Sequence, residues 1–197
     1  SDRAQRISQR SFIELAKKKK AYMKTSPVLW CTECQTSIAQ AELETKECET
    51  VFNYLNFTTP IGNLLIATTR PELLAGCACI FVHPDDTRYK KFIGQKAIVP
   101  LYDFEIPILA DDTVAMDKGT GVVMCASFGD SADVEWYQKH KLTSKEVILA
   151  DGTISEKIDF IGKMTVKKAR AYIIELLKKQ NLLVKQETIR HMVAVHE

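Results

Sequence analysis

Apolar and polar positions alternate with a period of two through most of the middle of this chain. Successive side chains on a strand point to opposite faces, so such stretches read as half-buried strands. The pattern predicts strands at 50–57, 63–69, 77–83, 95–100, 104–109, 112–116 and 121–126. Gly62-Asn63, Asp85-Asp86, Asp111-Asp112 and Lys118-Gly119 supply the turns between them. The period changes to that of a helix in three places. Residues 3–22 put Phe12, Leu15 and Ala16 on one face and close on lysines, the favoured charge at a helix C-terminus. Residues 131–140 form a short helix, and 166–180 carry a stripe of Ala169, Ile173, Leu176 and Leu177 behind a Thr165 cap. Asp151-Gly152 marks a hairpin-type turn. Many short strands with few helices predict an α+β fold, mainly β: a closed or nearly closed barrel with peripheral helices.

Composition narrows the class without naming it. The chain has 197 residues, 46% of them apolar and 26% charged, as in an ordinary globular domain. No apolar run approaches the roughly 20 residues that span a bilayer, so a cytoplasmic protein with no membrane partner is expected. Net charge of +2 carries no general nucleic-acid signature. Lysine clusters at 17–20, 90–91, 167–168 and 178–179 fit either contact with phosphate or a solvated helix face. The six cysteines are irregularly spaced, and a chain of this length needs no disulfides to fold, so reduced thiols are expected. The chain opens without methionine and stops at "HMVAVHE" with no turn signal, which reads as a piece of something longer.

The stretch "DKGTGVVMCASFGDSADVEWYQKH" at 117–140 carries the candidate chemistry. Asp130 stands where a helix N-cap belongs, and Asp133 is three residues on, the reciprocal position of a capping box. Capping alone accounts for both residues. The other reading is a ligand site at a barrel mouth, with Asp133 turned outward to take an ammonium group. Gly119 and Gly121 would then leave backbone N–H groups uncovered for a substrate oxygen. A covalent intermediate on Cys125 or Ser127 is disfavoured. No histidine is near in sequence, and no nucleophile elbow is written. His83 reads as a strand-end or turn residue.

"WCTEC" at 30–34 reads either as a redox pair or as half a zinc knuckle. Glu33 between the thiols is expected to raise a thiol pKa, which counts against the redox reading. Cys48, Cys77 and Cys79 read as packed thiols, and Phe52, Tyr54, Phe57 and Phe81 as core.

Four motifs in order carry a family resemblance: "ATTRPELL" at 67–74, "VHPDD" at 82–86, "IPILAD" at 106–111 and "GTGVVM…FGDSAD" at 119–133. Together they resemble the editing insertion of the class I aminoacyl-tRNA synthetases for valine, isoleucine and leucine. The nearest likeness is to valyl-tRNA synthetases of the archaeal type. The resemblance implies a β-barrel domain that hydrolyses mischarged threonyl-tRNA(Val), with water as nucleophile and no cofactor. ATP and Mg would serve only a synthetic core that this chain lacks. Its partners would be the tRNA(Val) 3′ end carrying threonine and the remainder of the synthetase in cis, with the fragment itself monomeric. By the same resemblance, residues 1–45 would be an opening helix and knuckle, 46–190 the editing barrel and 191–197 the return to the core.

The resemblance also implies roles. Asp133 would hold the substrate's α-ammonium, and Asp130 would read the threonine hydroxyl or order a water. Thr68, Thr69 and Arg70 would form the family's threonine-rich strand end at the catalytic site, with Arg70 serving the ester or the terminal nucleotide. Thr68, Gly119, Thr120, Gly121 and Met124 would line the pocket, with Phe128 an apolar wall. Bacterial valine enzymes carry other residues at Leu73, Met124, Ala126 and Gly129, so side-chain roles there do not transfer. A second metal-ligand pair follows the domain in the family, which makes His196 a third ligand beside Cys31 and Cys34, with the fourth missing. The alternatives are the editing domain of an isoleucyl- or leucyl-tRNA synthetase, or a non-catalytic RNA-binding or structural barrel. Exposed aromatics on which bases could stack would favour RNA binding.

Overall fold

The computed structural model describes residues 1–196. Helix α1 (Asp2–Lys17) opens the chain and buries none of its residues. A small hairpin of β1 (Trp30–Cys31) and β2 (Thr36–Ser37) follows. The main sheet comprises β3 (Glu44–Thr59), β4 (Gly62–Thr68), β5 (Cys77–Val82), β6 (Lys96–Ile98), β7 (Glu105–Ala110), β8 (Val122–Ala126) and β9 (Leu183–Val195). Helices α2 (Ser131–His140) and α3 (Val166–Lys179) lie outside it.

The sheet order is β4-β3-β6-β7-β5-β8, with β9 paired to β3. All neighbours are antiparallel except β5 and β7. The two end strands, β4 and β8, lie against one another, so the sheet curls into a half-barrel. The expected mainly-β barrel with peripheral helices is therefore what forms.

Side-chain alternation divides the interior into two cores. Val122, Met124 and Ala126 of β8 face the barrel interior with Leu55, Phe57, Leu64, Ile66, Ile80 and Ile108. Val123 and Cys125 face the other way, with Cys79, Phe81, Trp136 and Tyr137. Each fully buried large side chain contributes about 1.5–3 kcal/mol. Helix α3 adds Ala169, Ile173 and Leu177 to the barrel core, and α2 is held by the second core. Of the aromatic residues read as core, Tyr54, Phe57 and Phe81 are buried, and Phe52 is half-buried.

Some expectations are corrected. Residues 112–116 form turns, because the Asp111 carboxylate accepts from the Thr113 N–H and hydroxyl and bends the chain there. Strand β3 begins at Glu44 rather than at residue 50, and it pairs with β9, a strand absent from the expected set, from Glu44↔Val195 to Leu55↔Leu183. Helix α1 stops at Lys17 rather than continuing to residue 22, and Lys19 takes a left-handed φ of 56°. Thr165 occupies the N-cap of α3 without a capping side-chain bond. The Asp151-Gly152 turn is present, with Gly152 at φ 77° and a bridge between Ile148 and Ile154.

Candidate active site

Strand β8 delivers the chain to the start of α2 through the loop Ser127–Asp130. Asp130 is exposed and caps the helix: its Oδ1 accepts from the Asp133 N–H at 2.9 Å. Asp133 does not turn outward. Its side chain is buried, and Oδ2 accepts from the Gly129 N–H at 3.1 Å, one residue before the capping-box position. The residue there must be small. A Cβ on Gly129 would lie 2.6 Å from that Asp133 oxygen.

Burial pushes the Asp133 carboxyl up to about 7, and the nearby Asp130 charge adds to the effect. The Cys125 thiol and the Gly129 N–H work against it. Among the described residues no cationic side chain pairs with Asp133. A carboxylate in this state is short of a positive partner, a common condition of groups that bind or react.

Arg70 reaches the same loop from the end of β4. Its Nη1 donates to the Gly129 carbonyl at 2.7 Å, and its Nε faces Glu72 Oε1 at 3.5 Å. Glu72, in the 3-10 turn Pro71–Gly76, has a fully buried carboxylate held bidentately by Arg170. Thr68 ends β4: its hydroxyl accepts from the Arg70 N–H, and its carbonyl accepts from Asn53. Gln186 of β9 in turn donates to Asn53. Thr69 is half-buried beside them.

A cleft of about 360 Å³ opens next to this loop, lined by Arg70, Leu73, Phe128, Gly129 and the segment 144–148. Gly129 is thus the wall between the cleft and the buried carboxylate. Phe128 is 45% exposed and packs on Tyr137 with ring centroids 5.0 Å apart.

The structure brings Thr68, Thr69, Arg70, Phe128, Asp130 and Asp133 to one end of the barrel. Gly119 of the glycine turn packs on the same strand end: a Cβ on it would lie 3.1 Å from the Cβ of Ala67, the residue before Thr68. Gly119, Thr120 and Gly121 precede β8, whereas Asp130 follows it, and five strand residues at about 3.3 Å each separate the two. Part of the turn is held internally. Gly121 N–H donates to Lys118 O, Tyr89 OH donates to Thr120 O, and Arg88 binds Met116 O from its pair with Asp86. Gly121 sits at φ 80°, and a Cβ there would lie 2.7 Å from Arg88 and from Met116 O. Met124 is half-buried against the barrel core.

The covalent alternative finds no geometry. Cys125 is buried, and its thiol pKa is raised by its neighbour Cys79 and by burial. Ser127 adopts φ 53°, but its hydroxyl donates to the Lys145 carbonyl at 2.6 Å. His140 is committed to Asp111 at 2.7 Å, and His83 accepts from the Asp85 N–H at the end of β5. Sequence reasoning missed Asn53, Glu72, Arg170 and Gln186. Only the acid following "TTRP" hinted at Glu72.

Where β9 ends, Cys31, Cys34 and His196 place their ligand atoms within 4.8 Å of one another. Hydrogen bonds from the Cys34 N–H, and then His196, lower the Cys31 thiol to about 7. Cys34 is raised, first by Cys31 and to a lesser degree by Glu33. The effect expected of Glu33 therefore falls on Cys34 alone. The knuckle rests on the Asp151-Gly152 turn, where Trp30 Nε1 donates to the Ala150 carbonyl at 2.9 Å. Two thiols and an imidazole this close suit a soft or borderline metal ion, with one tetrahedral position left over.

A half-barrel whose one end gathers a threonine-rich strand terminus, an arginine and a helix-capping acidic pair belongs to a recognised class. The chain belongs to the family of aminoacyl-tRNA synthetase editing domains: the family model described as "Leucyl-tRNA synthetase, editing domain" matches residues 83–189. Within that class the sequence similarity runs to valine–tRNA ligases. That of Rickettsia canadensis (strain McKiel) is 46% identical over 98% of this chain and 24% of its own length. That of Rickettsia typhi (strain ATCC VR-144 / Wilmington) is 48% identical, again over 98% and 24%. The Ehrlichia canis (strain Jake) ligase is 43% identical over 98% and 25%. The chain therefore spans about a quarter of the length of the curated relatives it matches.

Solved structures support the fold. A leucyl-tRNA synthetase CP1 domain, GlLeuRS-CP1, superposes with a TM-score of 0.56 at 13% identity, over 69% of this chain and 99% of that one. The Agrobacterium radiobacter K84 agnB2 leucyl-tRNA synthetase, solved with tRNA, gives 0.55 at 17% identity, over 75% and 20%. No helix of this chain is long and apolar enough to cross a membrane among the described residues.

Proposed function

We propose that this domain hydrolyses the ester of threonyl-tRNA(Val), proofreading for a valine–tRNA ligase in the cytoplasm. The observation that carries the reading is Asp133: a buried carboxylate without a cation, bonded to Gly129, which lines a cleft together with Arg70. The substrate's α-ammonium would supply the missing charge, and its arrival would hold the carboxyl ionised. The physical need for a second site is general. A pocket built for valine rejects threonine by only about 10²-fold, and valyl-tRNA synthetase is itself the standard example of that limit.

The residues divide the work as follows. Asp133 anchors the ammonium, and exposed Asp130 orders the attacking water or reads the threonine hydroxyl. Arg70 fixes the Gly129 carbonyl and turns its remaining edge toward the ester or the terminal nucleotide, with Phe128 as an apolar face beside it. Water adds to the ester carbonyl and the bond to the ribose oxygen breaks. That oxygen takes a proton with help from the vicinal hydroxyl. Threonine and free tRNA leave, and no cofactor takes part. ATP and Mg belong to the synthetic core that would lie elsewhere in the same polypeptide.

Arg70→Ala tests the site from the strand side. Deacylation is expected to fall, because the Gly129 loop loses its anchor. The melting temperature should move little, because Arg170 still holds Glu72. A cleanly unfolded variant would make Arg70 a structural residue.

A second reading has one observation in its favour. Phe128 is an exposed aromatic in a cleft that also holds Arg70 and Lys145, as a non-catalytic RNA-binding site would present. Turnover separates the two. Hydrolysis of threonyl-tRNA(Val) by the full-length ligase supports editing, and binding without hydrolysis supports the second reading.

For Cys31, Cys34 and His196 we propose zinc, with a fourth ligand from outside the described residues or from water. The two cores lie far from the knuckle in sequence and do not draw on it. The chain is therefore expected to stay folded after chelation, with residues 1–45 the most mobile part. Metal analysis with thermal melts before and after chelation checks this. Stoichiometric zinc whose removal unfolds the whole chain would show the opposite.

A further inference from the structure

The Gly129 loop is tied to a residue that never approaches the cleft. Arg170 lies on α3, between the buried Ala169 and Ile173, and binds Glu72 through Nε at 2.9 Å and Nη2 at 2.7 Å. Glu72 is fully buried, so its charge must be met by fixed cations. Arg170 meets most of it. Arg70 is left with a long 3.5 Å approach to Glu72 and a short 2.7 Å bond to the Gly129 carbonyl. Gly129 passes the constraint on, because its N–H holds Asp133 Oδ2. An unbroken line of charged and hydrogen-bonded groups thus runs from α3 to the start of α2.

We propose that Arg170 is a positioning residue for ester hydrolysis, acting through Glu72 and Arg70 to hold the Gly129 loop and Asp133 in place. This rests on the function proposed above. The sharing of one buried carboxylate between two guanidinium groups sets the geometry. With Arg170 in place, Glu72 asks little of Arg70, whose planar fork is free to bind the loop. Without Arg170, Glu72 draws Arg70 into a bidentate pair of its own. The Gly129 carbonyl is then released, and the cleft wall moves with it.

The test uses the full-length ligase with Arg170→Met, Arg170→Lys, the double variant Glu72→Leu/Arg170→Met, and Asp133→Asn as reference. Arg170→Met is expected to lower kcat for deacylation on the order of 100-fold, the cost of a small displacement at a reacting centre, with KM unchanged. The acid limb of its pH–rate profile should move to higher pH. Asp133 would lose the Gly129 N–H and remain facing Asp130 and the thiols of Cys125 and Cys77. Arg170→Lys should recover part of the rate.

The double variant tests whether Glu72 is the group that draws Arg70 away. Replacing a buried ion pair by apolar side chains commonly preserves folding. Its melting temperature should therefore return toward wild type, and kcat and the acid limb should recover with it, because no carboxylate remains to draw Arg70 off the Gly129 carbonyl. A double variant whose melting temperature returns while kcat stays as low as in Arg170→Met overturns the proposal, as does an Arg170→Met enzyme with wild-type kcat. If Asp133→Asn deacylates normally, the proposed function falls, and this inference with it. If Asp133→Asn is inactive while Arg170→Met is not, only the role of Arg170 falls.

Discussion

Asp133→Asn is expected to abolish deacylation of threonyl-tRNA(Val) by the full-length ligase while leaving valine activation untouched. Asparagine keeps an acceptor for the Gly129 N–H and removes the charge that meets the ammonium. Breaking a buried ion pair costs about 3–5 kcal/mol, or roughly two to four orders of magnitude in rate if that pair persists in the transition state. The same change should stabilise the protein above neutral pH. Asp133 in the folded chain is raised to about 7 from the 3.8 of an ordinary aspartate. Between those two values the unfolded chain releases its proton and the folded chain does not, so stability falls as pH rises through that window and stays lower above it. At about 1.4 kcal/mol per pKa unit the penalty at pH 8 is on the order of 4 kcal/mol, as an upper bound. Melts from pH 4 to pH 8 should show the wild-type slope flattened in Asp133→Asn. A variant that still deacylates, or whose pH slope matches wild type, would mean that Asp133 is only a helix-start residue.

Phe81→Ala is expected to be the most damaging core substitution for the site. Phe81 on β5 is fully buried and packs 4.8 Å from both Trp136 and His140 of α2. It joins the barrel to the helix that carries Asp133. Truncating a buried phenylalanine costs about 3–5 kcal/mol, which for a chain of this size lowers Tm by roughly 10 °C. Deacylation should fall further than the lost stability explains at temperatures well below the melt, because α2 loosens first. The polar end of the same contact would persist: Trp136 donates to Thr113, and His140 and Lys139 hold Asp111. Thermal melts paired with single-turnover rates check this, and equal losses at Phe81 and at Phe57, which lies in the other core, would contradict it.

What was legible in the sequence was mostly local. Helix 131–140 could be read to its bounds because Asp130 caps it by its own side chain and Lys141 ends it in a left-handed conformation. The strand alternation was legible where one face is buried. It failed at 112–116, where a side-chain acceptor two residues back overrides the pattern. It failed at β9 for another reason: most of that ribbon is exposed on both faces, so burial writes little alternation into it. At the site, residue identities were legible and orientations were not. Asp133 is turned inward beside Cys77 and Cys125, whose meeting depends on the pairing of β5 with β8. The Glu72–Arg170 pair joins residues 98 positions apart, beyond the reach of any local pattern.

The central claim is that the aminoacyl end of tRNA enters the cleft at Gly129 and gives its ammonium to Asp133. The most direct measurement is a crystal structure with a non-hydrolysable threonyl-adenosine analogue. The account predicts the analogue in the cleft beside Arg70 and Phe128, with its ammonium within hydrogen-bonding distance of the Asp133 carboxylate. An analogue seated elsewhere, or in this cleft with its ammonium turned away from Asp133, would contradict it.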